Sequence, residues 1–276
     1  MQVRVKKFDP DSIKKDRISL IVGKRGSGKS SLLKDLLYSM SDRFDFTMAM
    51  CPTMESANML KSCMPECCVY SRFSPGKIDL LVQTAREFAA KGKERHFLLV
   101  LDDVFYDKSI CRSQAFRFLF FNGRHIRVTV VLLLQYLVDL PPDLRANVDY
   151  VFSMRETVLA NRLKLYKMFF GVFGSFEDFC AVFERCTQNY ECICLDNTLQ
   201  STGVSDCIFW YKARLELSDF RLGAEVYYNL QDRYRRAEGS TVPSIEEQEF
   251  VAKKPKVCVM KEDHQESQEP ADEEVR

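Results

Sequence analysis

Residues 18–37 read ISLIVGKRGSGKSSLLKDLL, and they decide the fold of this chain. The apolar run Ile18–Val22 is typical of a short buried strand, and the spacing of apolar residues from Leu32 onward is helical. Between them, residues 23–30 match the phosphate-binding pattern Gly-x4-Gly-Lys-Ser in full. A strand before this pattern and a helix after it are the context that it requires, so we expect a nucleotide-binding α/β domain.

The residue types of this loop suit a nucleoside triphosphate. The glycines let the backbone turn so that several N–H groups point at phosphate oxygens, and the start of the following helix adds partial positive charge. We expect Lys29 to bridge the β- and γ-phosphates of ATP and Ser30 to donate a hydroxyl oxygen to Mg²⁺. The residues predicted to bind the nucleotide are Gly23, Gly26, Ser27, Gly28, Lys29, Ser30 and Ser31.

Apolar runs that alternate with helical patterns continue along the chain after this loop. They indicate an α/β fold with a mainly parallel central sheet and helices on both faces. The last strands are expected to extend the same sheet rather than form a second domain. The predicted strands are 18–22, 46–51, 97–101, 128–134, 150–152, 190–195 and 208–211, and the predicted helices are 31–37, 78–90, 113–121, 156–169 and 175–185.

Composition limits the class of protein. The chain has 276 residues, of which 46% are hydrophobic and 29% charged, and these proportions are ordinary for a globular protein. No apolar run approaches the ~18 residues that a membrane-spanning helix needs, so we expect no membrane span. The 11 cysteines include no CxxC pair and are expected to be reduced thiols, most of them buried.

Charge is unevenly distributed along the chain. The formal net charge is +1, but residues 262–276 contain seven acidic residues and one arginine. The segment from residue 237 onward is polar and shows little periodicity, which is typical of disorder. We therefore expect a P-loop ATPase domain over residues 1–236 and a flexible, acidic C-terminal tail over residues 237–276. The moderately basic domain permits binding to a polyanion without demonstrating it.

Polar side chains follow two of the predicted strands. Asp102 and Asp103 come directly after the strand at 97–101, where P-loop enzymes place the carboxylate associated with Mg²⁺. We expect Asp102 to hold Mg²⁺ through water and Asp103 to polarise the attacking water, which favours hydrolysis. Gln135 ends the strand at 128–134 and is expected to contact the γ-phosphate or that water. Because one helix joins these two strands, the sequence predicts the additional-strand type of P-loop ATPase.

Other P-loop classes fit less well. The chain has no NKxD motif for guanine, and its second motif reads Asp-Asp-Val-Phe where a GTPase has DxxG. A small-molecule kinase needs a basic lid and an acceptor pocket, and neither can be identified. Motor ATPases use an arginine from a neighbouring subunit to stabilise the charge that develops during phosphoryl transfer. The candidates by position are Arg124, Arg127, Arg145 and Arg155.

Several further segments accompany the phosphate-binding loop in a fixed order across residues 17–213. They are LDDVFYD at 101–107, FNGRH at 121–125, QY at 135–136, LPPDLRANVDYVF at 140–152, DNT at 196–198 and FWYKA at 209–213. With them the chain resembles the genome-packaging ATPases of large double-stranded DNA viruses, the poxvirus and iridovirus type within the FtsK–HerA superfamily. The loop alone is generic, whereas the combination of these segments is specific.

This resemblance implies a function and a set of partners. It implies an ATP-driven motor, a hexameric ring, that moves double-stranded DNA of any sequence into a preformed capsid. It implies capsid or other virion proteins as partners, and a location in the host cytoplasm, the viral factory or the virion. It favours Arg124 as the arginine finger, with Arg145 as the second candidate. The implied roles are Lys29 at the phosphates, Ser30 and Asp102 at Mg²⁺, Asp102 and Asp103 as the acidic pair and Gln135 as the sensor.

One residue departs from the wider superfamily, and two alternatives stay open. Many relatives carry Asp-Glu where this chain has Asp102-Asp103, so the water-activating carboxylate is one methylene shorter. A related P-loop ATPase that pumps or remodels nucleic acid outside packaging would share every ATP-binding residue. A nucleotide-gated assembly factor would bind ATP as a switch, and the acidic pair counts against it.

Overall fold

A single sheet contains every strand in the described part of the chain. The computed structural model describes residues 4–105, 108–136, 140–201 and 203–238, with the backbone alone at 108–109 and 237–238. The strand order in the sheet is β1-β9-β8-β7-β2-β6-β5-β3-β4. The strands are β1 Lys6–Lys7, β2 Ile18–Val22, β3 Phe46–Met50, β4 Val69–Tyr70, β5 Phe97–Asp102, β6 Val128–Leu134, β7 Tyr150–Ser153, β8 Glu191–Asp196 and β9 Ile208–Lys212.

Helices connect most of these strands. Short 3₁₀ turns supplement them at Pro10–Ser12, Glu66–Cys68, Lys108–Arg112 and Gly123–Ile126. The α-helices of the described ranges are α1 Lys29–Ser39, α2 Met54–Lys61, α3 Pro75–Ala90, α4 Gln114–Asn122, α5 Pro142–Arg145, α6 Leu159–Met168, α7 Phe176–Cys186, α8 Val204–Cys207 and α9 Glu225–Glu238.

The centre of the sheet is parallel and follows the predicted type. The strand before the phosphate-binding loop, β2, pairs in parallel with β6 on one side and β7 on the other. On its other side β6 pairs in parallel with β5, so one strand separates β2 from the strand that ends in Asp102. This arrangement is the additional-strand topology, and the predicted P-loop fold with a mainly parallel sheet is confirmed.

The end of the sheet near β9 differs from its centre. The strands β8 and β9 extend the same sheet, as expected, but β8 runs antiparallel to β7 and β9 runs antiparallel to β8. Their direction brings the start of β8 and the end of β9 to the edge of the sheet at which β2 and β7 end. The two-residue strands β1 and β4 pair in parallel with β9 and β3, and they are too short for a periodic pattern.

Each face of the sheet has its own apolar core, which is why the central strands are apolar at nearly every position. On one face, Leu99, Leu101, Val130 and Leu132 pack with residues of α3, α4, α6 and α7. On the other face, Leu98, Val100, Val131 and Leu133 pack with the leucines of α1. Burial of both faces holds β2, β5 and β6 rigidly, so the residues at their carboxyl ends have a defined position.

Three further expectations concern the C-terminal tail, membrane-spanning helices and the state of the cysteines. The predicted tail lies outside the described residues except for 237–238, the last two positions of α9, so the tail and the domain boundary at 236 stay predictions. None of the helices in the described ranges is long and apolar enough to cross a lipid bilayer. The cysteines of these ranges form no disulfide with one another, and most of them are buried.

Candidate active site

The phosphate-binding loop connects the carboxyl end of β2 to the amino end of α1. Gly23 donates its N–H to the carbonyl of Leu134 at 3.1 Å, which ties the loop to the end of β6. Gly26 and Gly28 have φ values of +73° and +96°, a region that side-chain-bearing residues rarely adopt. A Cβ on Gly23 would lie 2.6 Å from Ser27 Oγ and 2.6 Å from Met154 Cβ. The loop therefore needs glycine at these three positions.

Lys29 and Ser27 have the two buried polar side-chain groups of the loop. Lys29 is 8% exposed, and its ammonium donates to the carbonyls of Gly23, at 2.7 Å, and Lys24, at 3.1 Å. Burial lowers the pKa of Lys29, and the nearby charges of Asp103 and Asp102 oppose that shift. The Ser27 hydroxyl is buried and has no hydrogen-bond partner among the described residues. A buried ammonium in the first turn of a helix fits an anionic ligand.

Asp102 is the last residue of β5 and is 5% exposed. Burial raises the pKa of its carboxyl group. A hydrogen bond with Ser56 acts in the opposite direction, Asp103 adds to the rise, and the charge of Lys29 lowers the pKa. Ser56 lies on α2, a helix that the sequence pattern did not reveal, and a serine inside a short helix gives no signal of its own. The structure therefore adds Ser56 to the candidate site.

Asp103 and Gln135 are brought together by the adjacent strands β5 and β6. The Gln135 side chain donates from Nε2 to Asp103 Oδ2 at 2.5 Å. The Asp103 backbone donates to the carbonyl of Leu133 at 3.2 Å and has a φ of +50°. Asp103 was predicted to polarise the attacking water, and Gln135 to contact the γ-phosphate or that water. Their direct hydrogen bond places the carboxylate and the amide beside each other in the cavity.

A cavity of about 740 Å³ lies over the loop, a volume typical of small-molecule sites. Gly23, which lies against Met154, and Ser27 are not among the residues that line this cavity. Apart from Arg124, the remaining predicted residues of the phosphate and catalytic set line it together. They are Gly26, Gly28, Lys29, Ser30, Ser31, Asp102, Asp103 and Gln135.

Two of these residues could hold Mg²⁺. The hydroxyl of Ser30, in the first turn of α1, and the carboxylate of Asp102 face the same cavity. Oxygen ligands of this kind, completed by water and phosphate oxygens, suit a hard divalent cation. The adjacent Asp103 adds a second negative charge. Bound there, the cation would neutralise charge on the phosphate oxygens.

Arg124 lies elsewhere in the chain. Its Nη2 donates to Asp149 Oδ1 at 3.1 Å, and Asp149 Oδ2 accepts the N–H of Ile18 at 2.9 Å. Ile18 is the first residue of β2, so Arg124 lies at the amino end of the strands, whereas the cavity lies at their carboxyl end. Arg145 on α5 does not line the cavity either. In this fold either arginine could reach a nucleotide only in another copy of the chain, and the finger assignment stays a prediction.

The cavity also has a wall that the sequence did not predict. Tyr190, at the connection between α7 and β8, and Leu215, beyond the end of β9, line the side away from Asp102. Neither residue belongs to a motif that signals nucleotide binding. Their position depends on the antiparallel course of β8 and β9, which apolar runs alone do not indicate.

Fold and site together define a P-loop NTPase of the additional-strand type. The chain belongs to the poxvirus A32 protein family, because the model of that family, "Poxvirus A32 protein", matches residues 5–204. The resemblance to genome-packaging ATPases of large DNA viruses is thereby confirmed.

The chain has relatives in several viruses. The chain is 37% identical over 198 residues to the uncharacterized protein 015R of Frog virus 3, a match that covers 70% of this chain and 61% of that protein. The chain thus spans less than two thirds of the length of that relative. It is 30% identical over 213 residues to protein 088R of Invertebrate iridescent virus 3, covering 75% and 80% of the two chains. Protein L437 of Acanthamoeba polyphaga mimivirus is 28% identical over 247 residues, covering 83% and 87%.

Solved structures show the same fold at low sequence identity. B204, the DNA-packaging ATPase from Sulfolobus turreted icosahedral virus, has a TM-score of 0.55 at 17% identity, covering 73% of this chain and all of B204. The genome packaging NTPase B204 from Sulfolobus turreted icosahedral virus 2, in complex with AMPPCP, has a TM-score of 0.50 at 17% identity, covering 75% and 100%. At this identity the likeness shows the fold alone.

Proposed function

We propose that this chain is an ATP-hydrolysing motor that drives double-stranded viral DNA into a preformed capsid. The observation that carries the proposal is the hydrogen bond between Gln135 and Asp103, at 2.5 Å, in the cavity that also contains Lys29. A site for binding alone needs the loop but not a carboxylate and an amide directed at the same point. Membership of the poxvirus A32 protein family supports packaging as the purpose of the hydrolysis.

The chain's own residues suggest how hydrolysis proceeds. Lys29 and the backbone N–H groups at the start of α1 hold the triphosphate and offset its charge. Asp103 accepts a hydrogen bond from the attacking water and draws away its proton, while the Gln135 amide keeps the Asp103 carboxylate oriented. With Mg²⁺ held by Ser30 and Asp102, most of the catalysis is positioning and electrostatic stabilisation, as is general for phosphoryl transfer.

The proposal extends to an assembly and to its partners. A packaging motor must accept any sequence, so its contacts with DNA would be made mainly to phosphates. The proposal includes a homo-oligomeric ring, a hexamer. Because Arg124 lies away from the cavity of its own chain, it could act as the arginine finger only at the nucleotide of a neighbouring subunit. Capsid or other virion proteins would direct the ring to its capsid, in the host cytoplasm or viral factory, and the ring could stay with the virion.

The test is ATP hydrolysis by the purified chain, with and without long double-stranded DNA of two unrelated sequences. We expect both DNAs to stimulate hydrolysis equally. We expect Lys29→Ala to abolish hydrolysis without unfolding the protein, because the P-loop ammonium is lost. Normal turnover in Lys29→Ala would contradict the site assignment.

The same assay separates the alternatives. Hydrolysis that single-stranded nucleic acid stimulates more strongly than duplex DNA would favour a remodelling ATPase outside packaging. Tight ATP binding with negligible turnover, with or without DNA, would favour a nucleotide-gated assembly factor and contradict a motor.

A further inference from the structure

The cavity over the loop has two chemically different ends. Asp102, Asp103 and Gln135 follow β5 and β6, on one side of the loop strand, and make that end polar. The other end is formed by residues at the start of β8 and just beyond β9, on the opposite side of β2. That end includes Tyr190 and Leu215 together with Lys212, the last residue of β9, and Leu215 is 79% exposed. A nucleotide has the same two-part chemistry, a charged triphosphate and an aromatic base.

Tyr190 is held in an unusual backbone conformation. Asn189 and Tyr190 have φ values of +50° and +65°, and the N–H of Glu191 closes the turn by donating to the carbonyl of Gln188 at 2.8 Å. Asparagine tolerates this left-handed region, but a bulky aromatic residue rarely adopts it. The structure gains no buried core residue in return, since Tyr190 is 70% exposed. Strain of this kind without a packing benefit is typical of functional positions.

The strained turn places the Tyr190 ring against the phosphate-binding loop. The Tyr190 Cδ1 atom is 3.4 Å from the position that a Cβ on Gly28 would take, which is van der Waals distance. Gly28 is the residue immediately before α1, so the ring lies beside the point at which the loop joins this helix. Tyr190 both lines the cavity and is 70% exposed, so its ring is accessible to a ligand.

The wall formed by Ala213 and Leu215 is fixed by a buried carboxylate. Asp35, on α1, is fully buried and accepts the hydroxyl of Tyr211 at 2.6 Å. It also accepts the backbone N–H of Arg214 at 2.8 Å and its Nε at 2.7 Å. These bonds join the segment after β9 to the same helix that begins at the phosphate-binding loop. The position of the base end of the cavity is therefore fixed relative to the phosphate end.

We propose that Tyr190 is the platform on which the adenine base of ATP stacks, with Leu215 contributing the apolar wall beside it. This inference rests on the proposed function, because it assigns the base end of the same nucleotide site. Stacking on an aromatic ring acts through the π-face of the base and does not touch the triphosphate. Tyr190 therefore contributes to affinity and to KM for ATP, whereas kcat is determined at the polar end.

The experiment compares a ligand that has a base with one that lacks it. Binding of Mg-ATP and of inorganic tripolyphosphate with Mg²⁺ is measured on wild type, Tyr190→Ala and Tyr190→Phe, by competition against labelled ATP. We expect Tyr190→Ala to weaken ATP binding about tenfold, from the usual strength of base–aromatic stacking, and to change tripolyphosphate binding less than twofold. Tyr190→Phe keeps the ring and is expected to bind ATP as wild type does.

A matched control and a stability measurement separate stacking from a structural role. Tyr234→Ala removes another exposed tyrosine, on α9, and is expected to leave both affinities unchanged. Tyr190→Gly removes the ring and the backbone strain together. We expect this variant to lose ATP affinity as Tyr190→Ala does, while its free energy of unfolding does not fall below that of wild type.

Two results would overturn the inference. Equal losses of ATP and tripolyphosphate binding in Tyr190→Ala would mean that the ring acts on the loop through Gly28. Unchanged ATP binding and KM would mean that the base does not touch it. Failure of the proposed function gives a different result. ATP binding that depends on the base, without hydrolysis, would contradict the motor but leave the stacking site supported. A wild-type chain that binds no ATP would contradict both.

Discussion

At Asp103 the backbone conformation favours the residue that this chain carries. Its φ of +50° lies in the left-handed region, where aspartate is several-fold enriched because its short side chain can hydrogen-bond locally. Glutamate, the residue that the resemblance to the wider superfamily implies at this place, has no such preference. The shorter carboxylate accepts a hydrogen bond from the amide of Gln135, whose Nε2 lies 2.5 Å from Asp103 Oδ2. The departure from the Asp-Glu pattern is thus compatible with a role for Asp103 in activating water.

Replacing Asp103 by asparagine tests this role. Asparagine keeps the size of the side chain and tolerates the backbone, but it cannot take up a proton. We expect Asp103→Asn to lower kcat by about 10²–10⁴-fold, the usual contribution of a general base. Its affinity for ATP should change little, because Lys29 and the loop are intact. Steady-state kinetics and equilibrium ATP binding provide the two measurements.

Gln135→Ala supplies the matched comparison. It leaves the carboxylate in place but unoriented, so we expect a smaller loss of kcat than in Asp103→Asn. If Asp103→Asn kept near-normal turnover, another group would have to activate the water, and Asp103 would be a structural partner of Gln135 only.

Among the secondary-structure elements, the central strands and the presence of β8 and β9 in the same sheet were predictable, whereas the direction of β8 and β9 was not. The strands β2 and β6 begin and end where the apolar runs do, because a strand buried on both faces is apolar throughout. The antiparallel direction of β8 and β9 depends on the path of the chain between them, which apolar runs do not encode. The same difference applies to the site. Asp102 and Gln135 lie at the carboxyl ends of central strands, so their positions could be predicted from the sequence. The positions of Ser56 and Tyr190 depend on tertiary contacts and could not.

An ion pair with a buried carboxylate connects α1 to the segment after β9. Arg214 donates from Nε to the fully buried Asp35 at 2.7 Å and from Nη2 to Ser39 Oγ at 2.6 Å. The guanidinium is half-exposed, so its main role is to satisfy a carboxylate that has no access to water. The helix that begins at the phosphate loop is thereby joined to the far wall of the cavity.

We expect Arg214→Ala to lower the free energy of unfolding by about 1.5–3 kcal/mol, the range for a hydrogen bond to a charged group. Asp35 keeps its bonds from Tyr211 and from the backbone at 214, which limits the loss. Because the wall at Leu215 is released, KM for ATP should rise as well. Urea denaturation and ATP kinetics measure the two effects. Arg185→Ala, at an exposed position on α7, is the control, and equal losses in both variants would contradict the role of the Asp35 contact.

At the scale of the whole molecule, the position of Arg124 restricts how subunits could be arranged if this residue is the arginine finger. It lies at the amino end of the strands, while the nucleotide cavity of its own chain lies at their carboxyl end. The arginine can therefore serve as a finger only if subunits are arranged so that one subunit's amino edge approaches the next subunit's cavity. Its side chain is 58% exposed, and an ion pair of that exposure contributes about 0–1 kcal/mol, so Arg124→Ala is expected to fold.

Mixing two inactive variants tests this arrangement in a ring of any size. Lys29→Ala subunits lack a working phosphate site but still offer Arg124 to a neighbour. Arg124→Ala subunits have an intact phosphate site but no finger. We expect each variant alone to be inactive. Equal mixtures should regain roughly a quarter of wild-type turnover, because in a randomly assembled ring one site in four combines an intact loop with a neighbour's arginine.

The mixture also identifies the arginine. Restored turnover can arise only at a site shared by two chains, since neither variant has a complete site within one subunit. If the mixture stays inactive although mixed rings form, Arg124 is not a finger acting between subunits, and its role is to neutralise Asp149. The same mixture made with Arg145→Ala then tests the second candidate, and restoration in that case alone would transfer the assignment to Arg145.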